Sequence, residues 1–190
     1  MKVKAILLIL VLLTSFSVIG CNQKPKTPEP APRQTTPPET TPDVVTTASI
    51  VADEAAFEKA ISSSGTWIVA TTKDLSFNKE LVLDGEFKNG KKDNAGKDII
   101  QRKIALYTQD ENRKVTARFT LTAPKLTINS PEASIQHGTF KGDLYVSARN
   151  FQLVDTTVEG NVYFITDEAK STFAMDKDSK ITGKQELIKK

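Results

Sequence analysis

Residues 125–142, KLTINSPEASIQHGTFKG, and residues 143–160, DLYVSARNFQLVDTTVEG, are two copies of one pattern. Laid over each other, Leu126 meets Leu144, Ile128 meets Val146, Ala133 meets Phe151, Ile135 meets Leu153, Phe140 meets Val158 and Gly142 meets Gly160. Apolar and polar residues alternate within each copy, the period of a strand with one face buried. A third copy starts at Asn161 with Val162 and Phe164 in register, and an insertion near Met175 delays its closing Ile181-Thr182-Gly183. A unit this short cannot bury its own apolar face, so the copies must stack on one another.

Working outward, short alternating segments precede the repeat at Trp67–Ala70, Leu81–Leu83, Ile104–Leu106 and Val115–Leu121. Ile104 and Leu106 stand 22 residues before Leu126 and Ile128, and Leu81 and Leu83 stand 23 before those, which extends the period upstream. The expected fold is all-β: a single-stranded parallel β-helix (β-solenoid) of about five turns between Trp67 and Gly183. The alternative is a β-sandwich or a meander of antiparallel hairpins, which also spaces strands evenly. Two-residue hairpin signals are scarce, and Asn89-Gly90 falls in a long charged loop. Ahead of the strands, Asp53 reads as an N-cap and Glu54 favours the first turn of a helix. Ala56, Phe57, Ala60 and Ile61 share one face of it, and the run Ser62-Ser63-Ser64-Gly65 ends it. Such a short helix would cover the open edge of the first turn.

Residues 50–185 resemble right-handed parallel β-helix proteins of the pectate-lyase-like kind, which often begin with a capping helix. The resemblance implies a right-handed coil. The runs Gly142-Asp143-Leu144-Tyr145-Val146 and Gly160-Asn161-Val162-Tyr163-Phe164 are also similar to the repeats of bactofilins, polymer-forming β-helices of the cytoplasm. The N-terminus argues against that compartment. Met1-Lys2-Val3-Lys4 is basic, Ala5 to Ile19 is apolar, and Val18-Ile19-Gly20-Cys21 closes the segment with small residues, the grammar of a secretory signal peptide. The run is too short and too interrupted, by Thr14, Ser15 and Ser17, for a spanning helix. It resembles the lipobox of bacterial lipoproteins, which implies cleavage before Cys21, lipidation of that residue and attachment to the extracytoplasmic face of a membrane. Several acyl chains anchor stably where one binds reversibly.

Three regions are therefore expected: a signal peptide over 1–20, lipidated Cys21 with a tether to residue 47, and a β-solenoid domain over 48–190. Seven prolines and seven threonines fill the 26 residues of 22–47, too few apolar side chains to offset ordering entropy. Polyproline II extension gives such a spacer a reach of at most about 80 Å. Without Lys2 and Lys4 the 26 basic side chains become 24, against 23 acidic, so the mature chain is close to neutral. It lacks the footprint of a nucleic-acid binder. Cys21 is the only cysteine, so no disulfide staples the domain.

The repeat places outward side chains beside one another. His137 and Asp155, 18 apart, should meet on adjacent turns with Thr139 and Thr157 next to them. They read either as a general base with its orienting acid or as a surface ladder contact. Zinc would need three or four nitrogen or sulfur ligands, which the chain cannot supply. The likeness to pectate-lyase-like enzymes implies clustered acids for calcium with a basic residue nearby, for which the candidates are Asp143, Asp155, Glu159 and Arg149. The repeat instead sets Asp143 against Lys125 and Asn161, and Glu159 against Lys141, which reads as neutralising ladders. Asp93 to Asp98 spaces oxygen ligands alternately but lacks the terminal glutamate of an EF-hand loop.

Tyr145 and Tyr163 stack at the same period, in an outward row that Thr127 continues, either as a sugar-binding ribbon or as a stabilising aromatic pair. The charged loop 86–103 carries Lys88, Lys91, Lys92, Lys97, Arg102 and Lys103, and would meet an anionic envelope polymer or remain solvated. The leading expectation is a non-enzymatic envelope lipoprotein with no cofactor, an interaction module for a polysaccharide or another envelope protein. Its contacts would be Tyr145, Tyr163, Lys91, Lys92 and Lys97. The second is a carbohydrate-active lyase or hydrolase using Asp143, Asp155, Glu159, Arg149 and His137, with calcium as its cofactor. A third, end-to-end assembly, is opposed by Lys184, Glu186, Lys189 and Lys190 near the C-terminus.

Overall fold

The computed structural model describes residues 48–188. The signal segment 1–20, Cys21, the 22–47 stretch and the last two lysines lie outside the described residues. Contacts divide the chain into two units, Met1–Thr41 and Pro42–Lys190, and the described residues belong to the second.

Strand is the dominant regular structure of the described chain, and the two large sheets are parallel. One holds six strands whose spatial order follows the chain: Ser49–Val51, Ile68–Thr71, Arg102–Ala105, Ala133–Gln136, Gln152–Val154 and Ala174–Met175. In the other, Leu75–Ser76 and Leu81–Leu83 both pair with Thr120–Ile128, which pairs with Thr139–Val146. That strand pairs with Thr157–Glu159 and Val162–Phe164, and these with Lys180–Ile181 and Gln185–Leu187. The chain alternates between the sheets, and each visit lands beside the last. A hairpin sandwich, the alternative expected from the sequence, would have paired its strands antiparallel.

The register over 125–164 is the one the repeat dictates. Leu126 faces Leu144 and Leu144 faces Val162, while Ile128, Val146 and Phe164 form the next row. Ile135 faces Leu153, and Phe140 faces Val158. These side chains point inward because alternate residues of a strand share a face, and all are fully or almost fully buried. Between Gln136 and Thr139 the chain changes sheet in two residues, His137 and Gly138, and between Val154 and Thr157 it does so at Asp155 and Thr156. His137 and Asp155 make the bend by adopting left-handed backbone, φ 59 and 49. Thr156 turns inward there, and its hydroxyl donates to Ile135 O and Val154 O at 2.9 Å, which satisfies a buried polar group. Within the second sheet Gly142 and Gly160 stack so closely that a Cβ on Gly160 would overlap the Gly142 carbonyl oxygen.

The upstream register differs from the sequence expectation. Leu81 and Leu83 pair directly with Leu126 and Ile128. Ile104 lies in the other sheet, between Val69 and Ile135. Two antiparallel insertions stretch the early layers. Residues 86–103 are no loop: Lys88–Lys92 pairs with Asp98–Ile100 as a ribbon, turning at Asp93–Lys97. A second ribbon joins Tyr107–Gln109 to Val115–Arg118. Ladder register, not residue count, decides which segments stack.

Helix α1, Glu54–Ile61, starts where expected: Asp53 Oδ1 accepts from Ala56 N–H at 2.8 Å. It buries Phe57, Ala60 and Ile61 over the first strands, with Phe57 and Phe77 ring centroids 5.6 Å apart. The C-terminal end of α1 is tied by a residue the sequence places in a charged loop. Arg102 is fully buried, and its Nη2 donates to Ala60 O at 2.9 Å and Ser62 O at 3.0 Å. Its guanidinium lies 3.8 Å from the Phe87 ring centre. A second helix, α2 at Asp167–Ser171, is the insertion that delays the third copy, capped by Thr166 and anchored by buried Ala169.

Candidate functional site

The sheet change at His137 and Asp155 brings these side chains together across adjacent layers, with His137 Nδ1 2.9 Å from Asp155 Oδ2. An ionised carboxylate only accepts, so Nδ1 carries the proton and Nε2 is the nitrogen left over. Arg118 Nη2 donates to the same Oδ2, and Tyr107 meets the His137 ring edge-on with centroids 4.5 Å apart. Both come from the ribbon 107–118, which is thereby clasped to the sheets. Neither was legible in the sequence, because an insertion has no period to place its residues. The Asp155 N–H in turn donates to both oxygens of Asp176 at 3.0 Å, and Ser179 Oγ donates to Asp176 Oδ1 at 2.6 Å.

The Arg118 hydrogen bond first, and the His137 contact second, hold the Asp155 carboxyl below its usual range, against the opposing effect of desolvation. Because the folded value lies below the unfolded one, this stabilisation is complete above the ordinary carboxylate pKa of about 4. It is lost as pH falls through the depressed folded value. Asp155→Asn should therefore melt below wild type at pH 6, with the gap closing as pH drops through that window. Melting curves of both proteins across pH 6 to 2 check this, and a constant gap would mean the charge contributes nothing.

The other acids are not gathered there. Asp143 Oδ1 accepts from Asn161 N–H at 2.8 Å and from Asn161 Nδ2 at 3.0 Å. Glu159 pairs with Lys141 at 3.2 Å, and Arg149 Nε lies 3.7 Å from Glu132. Of Asp143, Asp155, Glu159, Arg149 and His137, only His137 and Asp155 make a direct contact. Thr139 and Thr157 are strand partners beside them. Among the described residues no three His, Cys, Asp or Glu side chains group to hold a metal ion. In the 93–98 segment, Asp93 Oδ1 accepts from Ala95 and Lys97 N–H at 2.9 Å, closing the ribbon's turn. Asp98 pairs with Lys88 and Lys92, whose hydrogen bonds lower its carboxyl to about 2. These carboxylates already serve the fold.

On the second sheet, Thr127, Tyr145, Tyr163 and Glu186 form one outward row. The tyrosine rings lie 4.9 Å apart at 44°, and Lys125 Nζ sits 4.7 Å from the Tyr145 ring centre. Desolvation first, then the charge of Asp143, raises the Tyr163 hydroxyl above its usual pKa. Beside Tyr145 lies a depression of ≈ 230 Å³ lined by Lys125, Thr127, Asn129, Ser147 and Ile165 among others. Of the ribbon lysines, Lys92 is engaged with Asp98, whereas Lys91 and Lys97 side chains have no ion-pair partner among the described residues.

No family model matches the chain, and comparison with curated proteins and with solved structures finds no match either. No helix among the described residues is long and apolar enough to cross a membrane.

Proposed function

We propose that the protein is a lipoprotein of the bacterial cell envelope. It would be anchored through Cys21 on the extracytoplasmic face and carry a non-enzymatic module that binds an envelope polysaccharide. In this reading the two parallel sheets are sides of a right-handed β-solenoid of about five turns, begun by α1 and held off the bilayer by the Pro/Thr segment. Chain-ordered parallel strands and two-residue sheet changes support the solenoid. The basic, apolar and small-residue grammar of 1–21 supports the anchor.

The observation that carries the binding function is the outward Tyr145–Tyr163 pair with Lys125 against it. Flat rings offer an apolar face to a sugar and hydroxyls supply hydrogen bonds, while Lys125, its ammonium already paired with Glu80 at 3.0 Å, braces the Tyr145 ring. Co-sedimentation of the Pro42–Lys190 unit with purified cell-wall and extracellular polysaccharides, with and without calcium, tests it. Binding without sugar release is the expected result. Tyr163→Ala should weaken it about three- to tenfold, the value of one aromatic contact. Retention unaffected by this substitution would move the ligand elsewhere.

One observation favours a second reading, a carbohydrate-active enzyme: Asp155 orients His137 so that Nε2 is the free nitrogen of a general base. Released sugars in the supernatant, abolished by Asp155→Ala, would carry that reading over the first.

A further inference from the structure

The outer face of the six-stranded sheet changes character along its length. In its first three strands one outward row is apolar, Ile50 facing Ala70 and Ala70 facing Ala105, and beside it Ile68 faces Lys103. One strand further the same rows continue as Ser134 and Gln136, bonded to each other at 3.0 Å. Two alanines where neighbours carry isoleucine leave a hollow, and Tyr107 at the root of the 107–118 ribbon walls one side. The result is a groove of ≈ 340 Å³, the size of a small-ligand pocket. Ile50, which flanks it, is 74% exposed, the most exposed large apolar side chain among the described residues.

Lys103 lines the same groove. Its ammonium makes no ion pair among the described residues, whereas Lys88, Lys92, Lys125 and Lys141 each find a carboxylate. Partial burial lowers the Lys103 pKa, so its charge sits in surroundings that solvate it poorly. An apolar floor with one uncompensated cation is complementary to a ligand with an apolar body and one anionic end. Three strands about 4.8 Å apart give the apolar floor a length of roughly 10 Å. That suits a chain of about eight carbons and is too short for a long extended peptide.

We infer that the groove between Ile50, Ile68 and Tyr107 binds a free medium-chain alkyl carboxylate, with its chain over Ala70 and Ala105 and its carboxylate on Lys103. This site is separate from the tyrosine row, and the outcome of the polysaccharide experiment does not bear on it.

Octanoate and octanol are the probes, titrated calorimetrically into the Pro42–Lys190 unit while the methyl resonances of Ile50 and Ile68 are followed. Octanoate should bind saturably and shift those methyls. Octanol should bind about tenfold more weakly, as expected for loss of one charge-assisted contact. Lys103→Met should bring octanoate down to the affinity of octanol, and Ala70→Leu, which fills the hollow from the outer face, should weaken both ligands. Equal affinity for acid and alcohol would overturn the inference, as would absence of binding or an Ala70→Leu protein that binds normally. The comparison of acid with alcohol uses the unsubstituted protein, so it decides the matter even where a variant folds poorly.

Discussion

Arg102→Ala is expected to destabilise the domain by about 3 kcal/mol, a large part of the 5–15 kcal/mol available to a domain. The side chain is completely buried, so its removal leaves a cavity beneath α1 and beside the Phe87 ring. It also strips Ala60 O and Ser62 O of their charged donor at the end of the helix, where carbonyls have no partner within the helix itself. Two terms oppose these losses, the first being that Nε and Nη1 of Arg102 are buried without a hydrogen-bond partner. Burial also pulls the guanidinium down to about 10, still protonated at neutral pH, so the native state bears the cost of an enclosed charge that alanine would remove. The charge-assisted hydrogen bonds and the packing outweigh both. Arg102→Met, which restores most of the volume and neither hydrogen bond, should fall between wild type and alanine. Urea unfolding of the three proteins checks the order, and methionine matching wild type would mean that the carbonyl contacts contribute nothing.

Phe140→Ala should cost about 3–5 kcal/mol, the usual range for a fully enclosed aromatic. Phe140 is 0% exposed and pairs with Leu121 on one side and Val158 on the other, so it fills the interior in the middle of its sheet. Layers above and below are held by their own hydrogen bonds and cannot collapse into the void, which puts the loss near the upper part of that range. Thermal unfolding should show a drop of roughly 10 °C or more for a domain of this size. Phe140→Leu, which keeps most of the volume, should lose less than half as much. A loss below about 1 kcal/mol for alanine would mean the site relaxes freely, contrary to close packing.

The sequence was readable where side chains repeat and opaque where the chain departs from the repeat. Leu126, Leu144 and Val162 declare their own register because an inward position in one layer must be apolar in the next. The α1 boundaries followed from Asp53 and the spacing of Phe57, Ala60 and Ile61. The same logic misaligned Ile104 with Leu126, since two inserted ribbons happen to leave apolar pairs at a similar spacing in the wrong sheet. Arg102 was misread for a related reason. A charged residue among lysines looks solvated until the strand it begins is known, and that strand carries the side chain under α1. At the candidate site, His137 and Asp155 were legible as neighbours because both belong to the repeat. Arg118 and Tyr107, which complete the cluster, reach it from an insertion. The Lys103 groove depends on the true pairing of Ile50, Ala70 and Ala105, which no spacing in the sequence announces.

The placement of Ser49–Val51 has a mechanical corollary. This three-residue strand forms the outer border of its sheet and is bonded to one neighbour, Ile68–Thr71. Pulling force transmitted along the chain from the N-terminal side loads it before any other strand. The segments between Ala133 and Phe164, each gripped from two sides, take up that load only later. Resistance thus rises from the rim inward, and α1, fastened by Arg102 to the third strand of the same sheet, is the first catch behind it.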